Sequence, residues 1–298
     1  MKPTFCLLLV SSLATLGATE EQINKRFNAQ PRGTLIVEVD FGNVEIKTNA
    51  TSQVTVDVWR QIGRGTKAQE ETFLKENPVE FVQDGNTVTV RSRHHNTFHW
   101  SFLNRNSNEA KYTITVPSLF SARVETGAGG ASLTDLTGDF KVRSGGGGVN
   151  AADCDGTLTL RSGGGGIDVV GGSGGGSVAV KRFHGPTHVR SGGGGLHLEG
   201  IQGELEGSTG GGGINAILSS EISGGVNLST GGGGIHVEVP ATAAFNLDAA
   251  TSGGSVSSDL EVATKDKKER GRLRGPVNGG GQAVVLRTGG GGISISKL

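Results

Sequence analysis

The chain has 298 residues, with 28 basic and 28 acidic side chains, so its formal net charge is zero. Nucleic-acid-binding proteins usually carry a clear basic excess, and this balance argues against that class. Glycine is abundant (53 residues), whereas proline (7 residues) and aromatic residues (5%) are scarce. So much glycine without order would indicate disorder, but here the glycines recur in a regular pattern.

Residues 1–19 have the pattern of a secretory signal peptide. Lys2 is followed by a short apolar stretch from Phe5 to Leu16 and then by small residues. This stretch is shorter than the roughly 20 residues that a membrane span needs. We therefore predict an extracytoplasmic protein (periplasmic, surface-bound or secreted) whose mature chain begins near Thr19 or Glu20 and has no transmembrane segment. An uncleaved anchor is the alternative.

Residues 20–120 form a β-rich region, which is either a small β-domain or the irregular first coils of the array that follows. Alternation of apolar and polar residues predicts strands over 34–41, 43–48, 53–61, 79–82, 86–93 and 111–116. Between the third and fourth of these, Thr66 to Asn77 predicts a short helix that Pro78 ends.

Tetraglycine blocks dominate residues 121–298. The six blocks begin at Gly145, Gly163, Gly192, Gly210, Gly231 and Gly289. Their clearest spacings are 18, 18 and 21 residues, and such self-similarity is typical of stacked repeats. After each block the residues alternate apolar, polar, apolar, which indicates a strand with one buried face. We predict an all-β solenoid over 121–298, with coils of about 18–21 residues.

Each block marks a corner of a coil. We expect the glycines there to supply positive φ angles and to let stacked backbones approach closely. A hydroxyl residue precedes every block and is expected to bond to corner backbone groups; these residues are Ser144, Ser162, Ser191, Thr209, Thr230 and Thr288. A charged segment, residues 265–274, predicts a surface loop.

The glycine repeats and three further stretches together resemble the bacterial DUF4097 family, whose members bear the name "putative adhesin". The three stretches are the opening GTLIVEVDFGNVEIKT, the joint ITVPSLFSARVETGAGG and the ending LRGPVNGGGQAVVLRTGGGGISI. The resemblance covers nearly all of the chain after residue 19, although the blocks have four glycines where the family has two or three. It implies an exported β-solenoid of the bacterial envelope, and it brings no catalytic residues with it.

Two glycine-based motifs were weighed as ligand sites. The blocks lack the GxxxxGK[ST] pattern of phosphate loops. GGGGIDVV at residues 163–170 matches the calcium nonapeptide of β-rolls, which repeats its aspartate on successive coils. Here only Asp168 occupies that position as a carboxylate. We predict neither a nucleotide nor a calcium site.

Other polar clusters predict ordinary structure. His94, His95 and His99 lie near Trp100, but no carboxylate accompanies them, so we expect a loop and not a metal site. The sequence DCDG around Cys154 predicts a polar corner. We therefore predict no metal, no cofactor and no catalytic residues.

Arg143, Arg161 and Arg190 occupy the same position in three repeats, two residues before their tetraglycine blocks. Alternation points them outward, so stacked coils would raise a basic stripe, which Lys141 extends. The predicted function is an exported, non-enzymatic envelope protein with an adhesin-like structural or binding role. Its partner would be an anionic envelope polysaccharide or another envelope protein. A sensor of envelope state and a glycan-active β-helix enzyme are the alternatives.

Overall fold

The computed structural model describes residues 18–63, 66–93, 108–163, 178–218, 222–263 and 270–298. Three predicted features lie outside these ranges: the signal peptide up to residue 17, the cluster of His94, His95, His99 and Trp100, and the calcium-like motif from residue 164 onward.

Strands make up most of the described chain. The N-terminal strands are β1 (Thr19–Asn28), β2 (Gly33–Phe41), β3 (Asn43–Asn49), β4 (Gln53–Ile62), β5 (Glu80–Asp84), β6 (Thr87–Ser92) and β7 (Glu109–Pro117). The middle strands are β8 (Phe120–Ala128), β9 (Ala131–Thr134), β10 (Thr137–Ser144), β11 (Val149–Ser162), β12 (Val178–His184), β13 (Thr187–Ser191), β14 (Leu196–Glu199), β15 (Leu205–Thr209) and β16 (Ile214–Ile217). The last strands are β17 (Val226–Thr230), β18 (Ile235–Val239), β19 (Phe245–Thr251), β20 (Val256–Ser258), β21 (Arg272–Val277), β22 (Gln282–Thr288) and β23 (Ile293–Lys297).

Parallel pairing arranges these strands in two ladders. The first ladder runs β6–β2–β8–β10–β11–β13–β15–β17–β22–β19. The second runs β7–β3–β9–β11–β12–β14–β16–β18–β23–β20. Every second side chain of both ladders enters one shared apolar core, as Leu160 and Val189 do from the first and Leu198 and Val237 from the second. The predicted all-β solenoid is confirmed.

The coils do not stack strictly in chain order. The β2–β3 coil lies between the β6–β7 and β8–β9 coils, so strands from residues 20–120 and from 121–298 share the same ladders. At the other end, the β22–β23 coil inserts between the β17–β18 and β19–β20 coils.

Antiparallel strands cover parts of both ends. β5 pairs with β6, β4 with β7, and β1 with β4, whereas β21 pairs with β19 at the opposite end. The predicted loop over 265–274 is therefore wrong for Arg272 to Arg274, because β19 offers these residues strand partners. Residues 265–269 of that segment lie outside the described ranges.

The predicted helix is confirmed as α1 (Lys67–Glu76). Thr66 caps it in a capping box with Gln69, and Asn77 ends it by donating its backbone N–H to the carbonyl of Phe73. Within the described ranges, no helix is long and apolar enough to span a membrane.

At the tetraglycine corners, the structure differs from one of the two roles predicted for glycine. None of the described glycines in these blocks has a φ angle in the left-handed region. Such angles occur instead at the opposite corner of the coil, as at Gly185 (φ 127°). The blocks need glycine because the coils touch: a Cβ on Gly147 would lie 2.1 Å from the carbonyl carbon and oxygen of Gly129. The prediction of close backbone approach is therefore confirmed, and that of positive φ at the tetraglycines is wrong.

Hydroxyl groups tie each corner to the preceding coil, as predicted. The Thr209 hydroxyl donates to the carbonyl of Gly194 (2.6 Å) and accepts from the backbone N–H of Gly212 (3.3 Å). Thr230 and Thr288 make the equivalent pairs of contacts in their own corners. These buried hydroxyls satisfy backbone groups at the point where the strand ladder is interrupted.

Candidate functional site

The three predicted site residues lie in one outward column. Arg143 on β10 is in register with Arg161 on β11, which is in register with Arg190 on β13. Adjacent strands lie about 4.8 Å apart, so the guanidinium stems rise from successive rungs of the first ladder. All three side chains are exposed. We call these residues the arginine ladder.

The charges of the arginine ladder are neutralised unequally. Arg143 Nη1 lies 3.7 Å from Glu125 Oε1, and Arg190 Nη2 lies 3.0 Å from Glu206 Oε1. Arg161, the middle member, has no carboxylate within 4.0 Å among the residues that the structure describes. Among the described residues, Arg161 is therefore the member of the ladder whose charge no carboxylate offsets.

An open groove of about 460 Å³ runs beside this cation. Three arginines (Arg93, Arg143 and Arg161) and two carboxylates (Asp40 and Glu125) line it, together with the hydroxyl-glycine corners at residues 126–127, 144–145 and 162–163. Gly145 and Gly163 are exposed, so a ligand lying along the ladder can reach the backbone of these corners.

Further cations border this groove and its neighbouring rungs. They are Arg91, Arg93, Arg123 and Lys141, set against the carboxylates of Glu38 and Glu125. A hydrogen bond from Arg123 lowers the pKa of Glu125, and Arg93 lowers it further. Glu125 is thus ionised at neutral pH and shared among several arginines, and the region keeps a basic excess that favours an anionic ligand.

A second groove, of about 540 Å³, lies on the second ladder. Its lining includes an outward column from successive rungs: His197, Asn215, His236 and Ser294. His236 Nδ1 lies 2.6 Å from Ser294 Oγ, and its Nε2 lies 3.2 Å from Glu238 Oε1. Among the described residues, no three metal-ligating side chains are arranged to hold a metal ion. The described lining of this groove contains no lysine or arginine, so it is less basic than the first.

The two aspartates of the DCDG corner contact polar side chains of β12. Asp153 accepts from Arg182, with 2.7 Å between Oδ2 and Nη2, and Asp155 Oδ1 lies 2.7 Å from His184 Nδ1. Cys154 is buried between them, and burial raises its pKa to about 11. A thiol with this pKa is a poor nucleophile at neutral pH.

Sequence reasoning missed two arginines of this column: Arg91, beyond Glu125 and Glu38 at one end, and Arg287 at the other. Arg287 precedes its tetraglycine block by two residues, as the three arginines of the ladder do, and lies in the same column beyond Ser208 and Ser229. Its Nη2 donates to Asp248 Oδ2 at 2.8 Å. The repeated motif LRTGGGG was the available signal, but the two intervening serines separate Arg287 from the ladder.

Comparison with solved structures finds proteins that cover most of this chain at low identity. A "putative adhesin" from Bacteroides fragilis is 10% identical, with 93% of this chain and 97% of that chain covered and a TM-score of 0.39. A "putative lipid binding protein" from Parabacteroides distasonis is 11% identical, with 93% and 96% covered and a TM-score of 0.42. A "putative cell adhesion protein" from Clostridium sporogenes is 11% identical, with 93% and 100% covered and a TM-score of 0.26.

No curated protein matches the chain. The family description Toastrack DUF4097, in contrast, matches residues 34–296. This match spans the opening strands, the tetraglycine coils and the last strand, which are the stretches on which the resemblance was drawn. The chain belongs to the Toastrack DUF4097 family.

Proposed function

We propose that this protein is exported, has no catalytic activity, and binds an acidic polysaccharide of the bacterial envelope through the arginine ladder. The observation that carries this proposal is Arg161, an exposed guanidinium without a carboxylate partner among the described residues, held between two arginines in register. Guanidinium groups bind carboxylate and sulfate through paired hydrogen bonds.

The regular spacing of the ladder suits a polymeric anion. Parallel rungs repeat about every 4.8 Å, and each of three successive rungs presents one arginine. Like charges held so close repel one another, and an acidic chain lying along the groove relieves that repulsion. A linear polysaccharide offers acidic groups at regular intervals and makes several weak contacts at once.

The carboxylates of this face support a binding role more than a catalytic one. A glycoside hydrolase needs one carboxyl group with a raised pKa as its general acid. The pKa of Glu125 moves in the opposite direction because arginines bind its carboxylate, and Glu38 is likewise engaged by Arg91 at 2.9 Å. Glu125 is therefore not prepared to donate a proton to a leaving sugar.

Retention on immobilised polysaccharides tests this proposal. The wild-type chain should be retained on polygalacturonate and dextran sulfate at low salt, should elute as salt rises, and should pass neutral dextran freely. Changing Arg143, Arg161 and Arg190 together to glutamine should abolish most of this retention. Absence of salt-sensitive retention in the wild type, or equal retention of the triple variant, would overturn the proposal.

A control removes the same charge from the other ladder. Lys47, Lys111 and Arg182 are exposed cations of the second ladder, each beside a carboxylate. Changing these three to glutamine should leave retention close to wild type. If the control loses as much retention as the ladder variant, net charge alone explains the binding.

Glu125→Gln supplies a gain-of-binding test. This change removes the carboxylate that neutralises Arg143, so retention on both anionic resins should persist to higher salt. The length of the polysaccharide, followed by gel filtration after long incubation, should not change. Shortened chains would favour the enzyme alternative.

A further inference from the structure

A buried carboxylate holds the first residue of β1 in place. Glu70 lies in the first turn of α1 and is only 4% exposed. The backbone N–H of Thr19 donates to Glu70 Oε2 at 2.9 Å, and the Thr19 hydroxyl donates to the same oxygen at 2.7 Å. Both donors are electrically neutral while Thr19 remains joined to Ala18.

A charge-assisted hydrogen bond is roughly twice as strong as a neutral one, so an ammonium group at the Thr19 nitrogen would bind Glu70 more tightly than the neutral amide does. We infer that the bond cut on export is Ala18–Thr19 and that the α-ammonium group so formed binds the Glu70 carboxylate. This inference rests on the export part of the proposed function and not on polysaccharide binding. Water hydrolyses the peptide bond, so that Ala18 ends in a carboxylate and the Thr19 nitrogen becomes an amine that takes up a proton.

Strand register supports Thr19 as the first residue of the mature chain. β1 pairs with β4 without interruption from Thr19 opposite Ile62 onward. Cleavage one residue later, before Glu20, would remove both donors to Glu70 and leave its buried carboxylate without them. The structure therefore favours Thr19 over Glu20, a choice that the sequence left open.

A second contact fixes the start of β1 two residues farther along. The guanidinium of Arg60 is fully buried and donates to Glu21 Oε2 from Nε at 2.7 Å. Its Nη1 donates to the carbonyl of Asn77, the C-cap of α1, at 2.7 Å. The Arg60 contact already holds β1 to the end of the helix, so the Thr19 nitrogen is positioned before any cleavage. Processing would add a charge at a site that is already formed.

Six forms of the purified chain test this contact: a free Thr19 amine, an Nα-acetylated Thr19 and a chain that begins at Ala18, each with Glu70 or with Glu70→Gln. An α-amine has a pKa of about 7.7–8.0, so at pH 6.5 the first form carries a charge on the Thr19 nitrogen itself, the acetylated form carries none, and the Ala18 form carries its charge one residue away. The unfolding equilibrium constant of the first form in denaturant should be about tenfold lower than those of the other two forms. In the Glu70→Gln background the three constants should converge.

Because the three forms are compared within one background, any general loss of stability caused by Glu70→Gln cancels from the comparison. Thr19→Val, which keeps the ammonium and loses the hydroxyl, should retain most of the tenfold difference between free and acetylated chains. Equal unfolding constants for the free and acetylated wild-type chains would overturn the inference. So would a difference that persists unchanged in the Glu70→Gln background.

The exported protein provides the other test. Its N-terminal sequence should begin at Thr19, and a start at Glu20 or beyond would refute the cleavage site. Thr19 and Glu70 lie outside the arginine ladder, so Glu70→Gln should leave retention on polygalacturonate unchanged. Failure of the ladder variants would therefore count against polysaccharide binding alone, and failure of the unfolding test would count against the Thr19 contact alone.

Discussion

Two neighbouring glycines of one corner should respond very differently to the same methyl group. In the block at residues 210–213, a Cβ on Gly212 would lie 2.4 Å from both the carbonyl carbon and the oxygen of Gly194 on the coil below. A Cβ on Gly211 would meet nothing nearer than the carbonyl oxygen of Gly193, at 3.6 Å. Neither glycine has a φ angle in the left-handed region, so the comparison isolates the approach of the two coils.

The structure sets the size of the effect. To accommodate alanine at 212, the two coils must separate locally by about 1 Å, which brings the Cβ into ordinary contact. That movement also breaks the hydrogen bond from the Thr209 hydroxyl to Gly194, now 2.6 Å long. Overpacking and one lost hydrogen bond together cost about 2–4 kcal/mol. Gly211→Ala should change stability by less than about 1 kcal/mol, in the stabilising direction, because alanine restricts the unfolded chain.

Equilibrium unfolding in urea, followed by far-ultraviolet circular dichroism, measures both variants against the wild type. The midpoint should fall clearly for Gly212→Ala and hold or rise slightly for Gly211→Ala. Equal losses in the two variants would mean that the whole block needs glycine for its backbone angles. Equal tolerance would mean that the coils do not touch at residue 212.

Three further outcomes follow from the corners and the buried groups. Thr209→Val should lower the free energy of unfolding by about 1–3 kcal/mol, because it removes both hydrogen bonds of a buried hydroxyl. Thr209→Ser keeps the hydroxyl and should retain most of the wild-type stability. Equal urea midpoints for the two variants would refute the role of the hydroxyl. Cys154 should resist iodoacetamide at pH 8 in the native protein and react after denaturation, because burial raises its pKa to about 11. Rapid labelling of the native protein, detected by mass spectrometry, would contradict this prediction. The pKa values of Glu125 and Asp153 are lowered by hydrogen bonds from Arg123 and Arg182 respectively. The stability that these two carboxylates contribute is therefore fully present above their ordinary pKa values of 4.5 and 3.8 and is lost as pH falls through the lowered values. A urea midpoint that did not fall in this acid range would contradict this prediction.

Local patterns made most strands and the helix predictable. Alternation predicted β2, β3 and β4 almost to the residue, because a strand with one buried face repeats every two residues whatever it pairs with. Thr66 and Asn77 likewise marked both ends of α1. β1 escaped notice because only Ile23 and Phe27 of its inward positions are apolar, and its partner β4 lies far along the chain.

Features that depend on pairing between distant coils were not predictable. Nothing in the residues of β22 and β23 indicates that this last repeat inserts between two earlier coils. For the tetraglycines, close approach to the neighbouring coil was predicted correctly, whereas the positive φ angles expected there were wrong.

The candidate site was likewise predictable only in part. The repeat position of Arg143, Arg161 and Arg190 predicted a column, because equal spacing places equal positions on one face. Which of the three would lack a carboxylate depended on Glu125 and Glu206, which reach the column from other rungs. Only the structure distinguishes Arg161 from its neighbours.

Affinity for a defined acidic oligosaccharide tests the binding role of Arg161 most directly. The Kd of a galacturonic acid oligomer, measured by calorimetry at two salt concentrations, should rise about tenfold in Arg161→Gln, because this variant loses a charge-assisted contact. Arg190→Gln should have a smaller effect, since Glu206 already neutralises that arginine. A neutral glucose oligomer should not bind either chain. An Arg161→Gln variant that binds the acidic oligomer as tightly as the wild type, at both salt concentrations, would contradict anion binding by the arginine ladder.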